Sequence, residues 1–279
     1  MSKHPLRIDA NEHAATALRL IHRFSWLRPT ELGRLLYPRN KHARKYAEKL
    51  LRKLTTLRLV IERKLPGRSA GTAYVVATRG ATQLDTWADV HKGYKSGKDW
   101  GAYQNGVWYP PNSWQHDLWA IGVASLLAEQ LGHEVLPDSY LRHTAPFEVK
   151  YPDALLVCRD KGFSAWLEVE SSRKTGRNLE QLVRAVIGAS RGSPLAYFDE
   201  VQDTPVKVGI IAILVGARDE RGYNLDHWGR FERKLQALGG VKAPVTLIRC
   251  WMTLKGVGIG AIRIDHITLS PYKQPITNP

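Results

Sequence analysis

The sequence predicts an α/β protein in two parts: a basic N-terminal module of three helices and a hairpin, then a mixed sheet with flanking helices. Three observations carry this. The first is where the charge sits. Formal net charge is +15, but residues 1–100 hold 21 Lys/Arg against 8 Asp/Glu, whereas residues 101–279 hold 20 against 18. A nearly neutral body with a strongly basic front third favours a polyanionic partner, most commonly nucleic acid. The second is a helical period before residue 58 that gives way to short apolar strands. The third is the apolar run 206–215, which reads as a central strand covered on both faces.

The elements follow in order. Residues 10–24 read as a helix with Asn11 near its N-cap and Ala14, Ala17, Leu18 and Ile21 as its stripe. A short second helix starts near Thr30 and stops at Pro38. A third spans 41–57, with Ala43, Ala47, Leu50, Leu51, Leu54 and Leu57 facing the core. Its other face carries Lys41, Arg44, Lys45, Lys49, Arg52 and Lys53. Strands at 59–65 and 72–77 are joined by a basic, glycine-rich loop holding Arg68. This ordered set resembles a winged helix-turn-helix. The resemblance implies that the third helix enters the major groove of double-stranded DNA and that Arg68 touches the backbone or minor groove. The alternative, a winged helix for protein interaction, has less need of so much positive charge. A helix at 78–88 closes the module, which spans 1–90.

Residues 91–114 carry Gly, Asn, Pro and several aromatics without a period. They read as a linker, or as a nucleic-acid-facing loop whose aromatics stack on unpaired bases. The second domain, 115–270, opens with a helix ended by Gly132. Opening strands and an acidic strand pair come next, then a helix at 177–190 with Gln181 and Arg184 off its apolar stripe. The strand 206–215, a helix at 225–238 and strands near 244–252 and 258–269 complete a layered mixed sheet, leaving 271–279 as a tail.

The bulk numbers exclude several classes. The apolar fraction of 43% is that of a globular protein. No apolar run approaches the roughly 18 residues of a membrane span, so no membrane insertion is expected. The first residues lack the apolar core of a signal peptide. Cys158 and Cys250 are the only cysteines, which excludes a cysteine-based zinc site and a disulfide scaffold and fits a reducing cytoplasm.

The candidate chemistry lies in residues 147–170. Pro152 opens the strand 153–158, a glycine-centred turn follows, and the strand 165–170 ends in Glu168 and Glu170. In an antiparallel pair Asp153 and the two glutamates meet at one end, and Glu168 and Glu170 share a face. Three converging carboxylates either hold a divalent metal or repel one another.

Pro152-Asp153, a spacing of fifteen to Glu168, then Glu-x-Glu before a helix resembles the PD-(D/E)xK nuclease core. The resemblance implies a Mg2+ or Mn2+ ion held by Asp153 and Glu168. It places Glu170 where a lysine is usual, so that either Glu170 is a further ligand or a cation comes from Lys174, Arg173, Arg184 or Lys150. A winged helix ahead of such a core, with Gln115-His116, Pro152-Asp153-Ala154 and Leu167-Glu168-Val169-Glu170-Ser171, is similar to the replication-relaxation family, which includes the MobC-type relaxases of mobilisable plasmids. That implies strand-specific nicking at a plasmid transfer origin, on double-stranded DNA and on single-stranded DNA at the nick, alongside other mobilisation proteins and a coupling protein. His116 contacts phosphate or metal in that reading, or serves as a cap or hydrogen-bonder. The alternatives are a non-catalytic DNA-binding protein of plasmid replication or regulation with a decayed nuclease core, and a restriction or repair nuclease.

Overall fold

The apolar stripes of the N-terminal helices meet in one core. In the computed structural model, which describes residues 5–67, 70–86, 97, 100–144, 151–158, 163–170, 175–190, 197–199, 204–215, 228–238, 245–255 and 258–268, α1 (Pro5–Arg23) buries Ala17, Leu18 and Ile21. Helix α2 (Pro29–Leu36) buries Leu32, and α3 (Ala43–Thr56) buries Ala43, Ala47, Leu51 and Leu54. Pro29 suits the first turn of α2, where an amide N–H has no helical acceptor. Leu57, expected in the core stripe, is the C-cap of α3 and is 44% exposed. The chain leaves helical geometry there, Arg58 taking a φ of 57°, so the stripe ends one turn early.

Two local features fix how α2 is seated. A Cβ on Gly33 would lie 2.8 Å from the carbonyl carbon of Ala43 and 2.9 Å from the amide nitrogen of Arg44, so only glycine allows the backbones this close. Before α2, Arg28 makes a two-pronged bond to Glu31, Nη2 to Oε1 at 2.6 Å and Nε to Oε2 at 2.9 Å, and donates through Nη1 to the carbonyl of Ala70 at 3.1 Å. Glu31 is almost wholly buried. Burial opposes the charge on Arg28, but Glu31 outweighs it and raises the guanidinium pKa above its ordinary value.

Strands β1 (Val60–Lys64) and β2 (Thr72–Val76) pair antiparallel with Val60 opposite Val76. Leu27 adds a one-residue bridge, exchanging backbone bonds of 3.1 and 2.9 Å with Tyr74. Helix α4 (Thr78–Thr86) follows. Part of the segment expected to be a linker is an ordered hairpin instead: β3 (Ala102–Gln104) pairs with β4 (Val107–Tyr109) around Asn105-Gly106. Both turn residues have positive φ, 51° and 77°, the geometry that an Asn-Gly pair supplies most readily. Helix α5 (Trp114–Leu131) ends at the left-handed Gly132 and leads to β5 (Glu134–Pro137) and α6 (Asp138–Thr144).

The chain divides into two compact units, one spanning Met1–Thr144 and the other Ala145–Lys255 with Ile259–Pro279. The division falls later than residue 115, where the sequence opens the second domain. Helix α5 belongs to the first unit: it packs on α2, Arg34 donates to the carbonyl of Gly122 at 3.5 Å, and the amide of Arg39 donates to Glu129 at 3.0 Å. A helix that is apolar nearly all round must be covered on every side, and Leu118, Trp119, Val123, Ala124 and Leu127 are buried here.

The second unit holds β6 (Ala154–Cys158), β7 (Phe163–Glu170), α7 (Gly176–Ser190), β8 (Tyr197–Asp199), β9 (Thr204–Val215), α8 (Trp228–Ala237), β10 (Val245–Lys255) and β11 (Gly258–Thr268). Its sheet runs β11-β10-β9-β7-β6, with β8 pairing β9 off this path. The sheet is mixed as expected: β9 lies parallel to both β7 and β10, while β6 and β8 are antiparallel to their partners. The apolar run 206–215 is the body of the central strand. Helix α7 buries Leu182, Val183, Val186 and Ile187 and leaves Gln181 and Arg184 in solvent. The tail 271–279 lies outside the described residues. Among those described, no helix is long and apolar enough to cross a membrane.

Candidate functional site

Helix α3 presents its charge as the periodicity requires. Lys45, Lys49 and Arg52 fall within one narrow sector of the helix opposite the buried stripe. Lys53 flanks them, Lys41 lies just ahead of the helix, and all five are exposed. Among the described residues no carboxylate comes within ion-pair distance of Lys41, Lys45, Lys49 or Lys53. Arg44 is different. It lies at the edge of the basic face and donates to Glu48 at 2.8 Å, so part of its charge is already answered. Arg68 lies outside the described residues.

Tyr74 of β2 ties the two strands of the hairpin β1–β2 together. Its hydroxyl donates to Glu62 at 3.1 Å. Burial and the nearby carboxylates of Glu62 and Glu48 push the phenol up to about 12, with Arg52 pulling the other way. The protonated phenol is therefore favoured by folding. That contribution is complete below the unfolded value near 10 and is lost as pH rises through 12. Tyr74→Phe is expected to cost about 1 kcal/mol at neutral pH and to flatten the decline in stability between about pH 10 and pH 12. Urea unfolding of both proteins across that range checks it.

The acidic strand ends are assembled by register. Ala154 lies opposite Leu167, which sets Asp153 beside Glu168 at one end of the β6–β7 pair. Asp153 grips the backbone on either side of that glutamate: its amide donates to the carbonyl of Leu167 at 3.0 Å, and its Oδ2 accepts from the amide of Val169 at 2.6 Å. Glu168 is fully buried, and its Oε1 accepts from the indole N–H of Trp166 at 2.8 Å. The two residues are two apart on one strand, so they share a face. Both carboxylates are thus held by neighbouring N–H groups. Asp153 is half-buried.

The remaining expected residues fall variously. Glu170 ends β7 opposite Val215, and its side chain lies outside those described. So do Lys150, Arg173 and Lys174. Arg184 is drawn to Glu180 on its own helix, at 2.8 and 3.0 Å, and Gln181 is exposed beside it. Lys234 also reaches Glu180 at 3.0 Å, and these two cations lower its pKa. His116 stands at the exposed start of α5 in the first unit, with Nδ1 3.9 Å from Asp117. The hydroxyl of Ser113 donates to the Asp117 carboxylate at 2.9 Å.

Two hard-oxygen donors at one strand end fit a small divalent cation, which typically takes one or two carboxylates and completes its shell with water and phosphate. Among the described residues no group of three or more His, Cys, Asp or Glu side chains is placed to hold a metal. Of the residues expected to hold a metal, Asp153 and Glu168 lie side by side in the strand register.

Tyr103 belongs to the segment 91–114 whose aromatics were read as a linker or as stacking on unpaired bases, but nothing in the sequence singles it out or pairs it with Arg63. The Asn-Gly pair at 105–106 was the signal that could have located the hairpin bearing Tyr103. No protein-family model, no curated protein and no solved structure matches the chain.

Proposed function

We propose that the chain binds duplex DNA through α3 and nicks it with a divalent metal held in the second unit, the activity of a relaxase at a plasmid transfer origin. The observation that carries the binding half is the exposed basic sector of α3, set among three helices and a following β-hairpin. Asp153 and Glu168 are the residues that would hold the metal. Bound there, magnesium or manganese activates a water and stabilises charge on the scissile phosphate. Asp153 additionally fixes the backbone around Glu168, so the two carboxylates keep their relative placement as DNA arrives. A second reading, a DNA-binding protein without catalysis, is favoured by the burial of Glu168 against Trp166 and by Glu170 at the position where a lysine is usual.

Asp153→Asn separates the two. Asparagine keeps an oxygen for the Val169 amide but gives up the charge. Nicking of supercoiled plasmid carrying the cognate origin, with magnesium or manganese present, should fall at least about 100-fold, while affinity for that DNA stays within about twofold. Undiminished nicking by the variant would sink the metal assignment. No nicking by the unaltered chain with either metal, together with intact DNA binding, selects the second reading.

A further inference from the structure

The hairpin β3–β4 is built outward from the core of the first unit. Trp26 is buried, its ring centroid lies 5.2 Å from that of Trp100, and Trp100 lies 5.2 Å from Trp108 on β4. The indole N–H of Trp108 donates to the carbonyl of Trp100 at 3.0 Å. Tyr103 sits opposite Trp108 in the register. Arg63 of β1 lies against both rings, 5.4 Å from the centroid of Trp108 and 5.5 Å from that of Tyr103, and its Nη1 donates to the Tyr103 hydroxyl at 2.7 Å. The phenol is thereby held by its hydroxyl end, yet Tyr103 remains 62% exposed. An aromatic ring fixed in one orientation but left in water has already met its ordering cost, so it suits a partner that offers a flat apolar face.

The rest of the unit narrows the partner. The first hundred residues carry 21 Lys/Arg against 8 Asp/Glu, and the hairpin's own anchor, Arg63, is cationic. A partner with both a polyanionic backbone and accessible ring faces is a single-stranded nucleic acid. A duplex has the charge but keeps its ring faces stacked. We infer that Tyr103 is a stacking platform for an unpaired base adjoining the duplex held by α3, with Arg63 as the residue that positions it. This rests on the DNA-binding reading above.

Fluorescence anisotropy on the full chain, with chelator present so that no cleavage occurs, compares a blunt duplex with the same duplex bearing a single-stranded extension. The extension should tighten binding about tenfold, a typical increment for one stacked base. Tyr103→Ala should abolish that gain and leave the blunt-duplex affinity unchanged, while Tyr103→Phe, which keeps the ring, should retain most of it. Duplex binding with no preference for the extension, or equal losses on both DNAs, overturns this inference alone. So does self-association in sedimentation velocity that Tyr103→Ala removes, because the ring would then face a second copy. Absence of any duplex binding overturns the DNA-binding reading and this inference with it.

Discussion

Glu31→Ala is expected to destabilise the first unit by about 3–5 kcal/mol, because it leaves the Arg28 guanidinium without its counter-charge in a buried site. The Arg28 side chain is only 12% exposed and that of Glu31 only 2%. A loss of this size should lower the melting temperature by about 10 °C or more. Thermal and urea unfolding followed by tryptophan fluorescence read the change. The apolar double variant Arg28→Met with Glu31→Leu separates pairing from packing: it should recover most of the loss, since removing both charges removes the desolvation penalty as well. A shift below about 1 kcal/mol for Glu31→Ala, as for an exposed pair, would mean that the site is wet.

The other large effect is on binding. Lys45→Ala, Lys49→Ala and Arg52→Ala together should weaken DNA affinity about 100-fold near physiological salt, and should reduce the slope of log affinity against log salt by about 2–3. All three are exposed and project from one sector, so the fold should survive the change. Arg44→Ala should cost less, because Glu48 already answers part of its charge. Anisotropy titrations over a range of salt concentrations give both quantities. An unchanged salt slope would remove α3 from the interface.

How much of this was legible in the sequence depended on distance along the chain. The stripes of α1, α3 and α7 were readable because a helix repeats its environment every 3.6 residues; most expected residues are buried, while Ala14 and Leu50 are half-buried and Leu57 at the end of α3 is exposed. The meeting of Asp153 with Glu168 was readable because few residues separate the two strands in sequence, which limits their register. The burial of Glu168 was not readable, since it depends on what covers that face of β7. The bond from Trp166 could have been anticipated from their shared face, two residues apart. The hairpin β3–β4 was overlooked because strands of three residues carry no period, although its Asn-Gly turn stood in plain view. The allegiance of α5 was hidden for another reason: a helix apolar on all sides does not say which neighbours will cover it. Arg28 and Glu31 show the same limit. Their spacing suggests a pair, but only the tertiary structure shows it to be buried.

The close approach at Gly33 separates two duties that many binding helices combine. The seat of α3 is set by backbone against backbone, by the side chains it buries and by Tyr46 against Tyr37, while Lys45, Lys49 and Lys53 make no ion pair among the described residues. Its outer sector can therefore be rewritten, one side chain or several at a time, without re-seating the helix. If α3 binds DNA as proposed, substitution at Lys45, Lys49 and Arg52 alone would alter the contact, and a grafted set of outward residues offers the corresponding handle for retargeting by design.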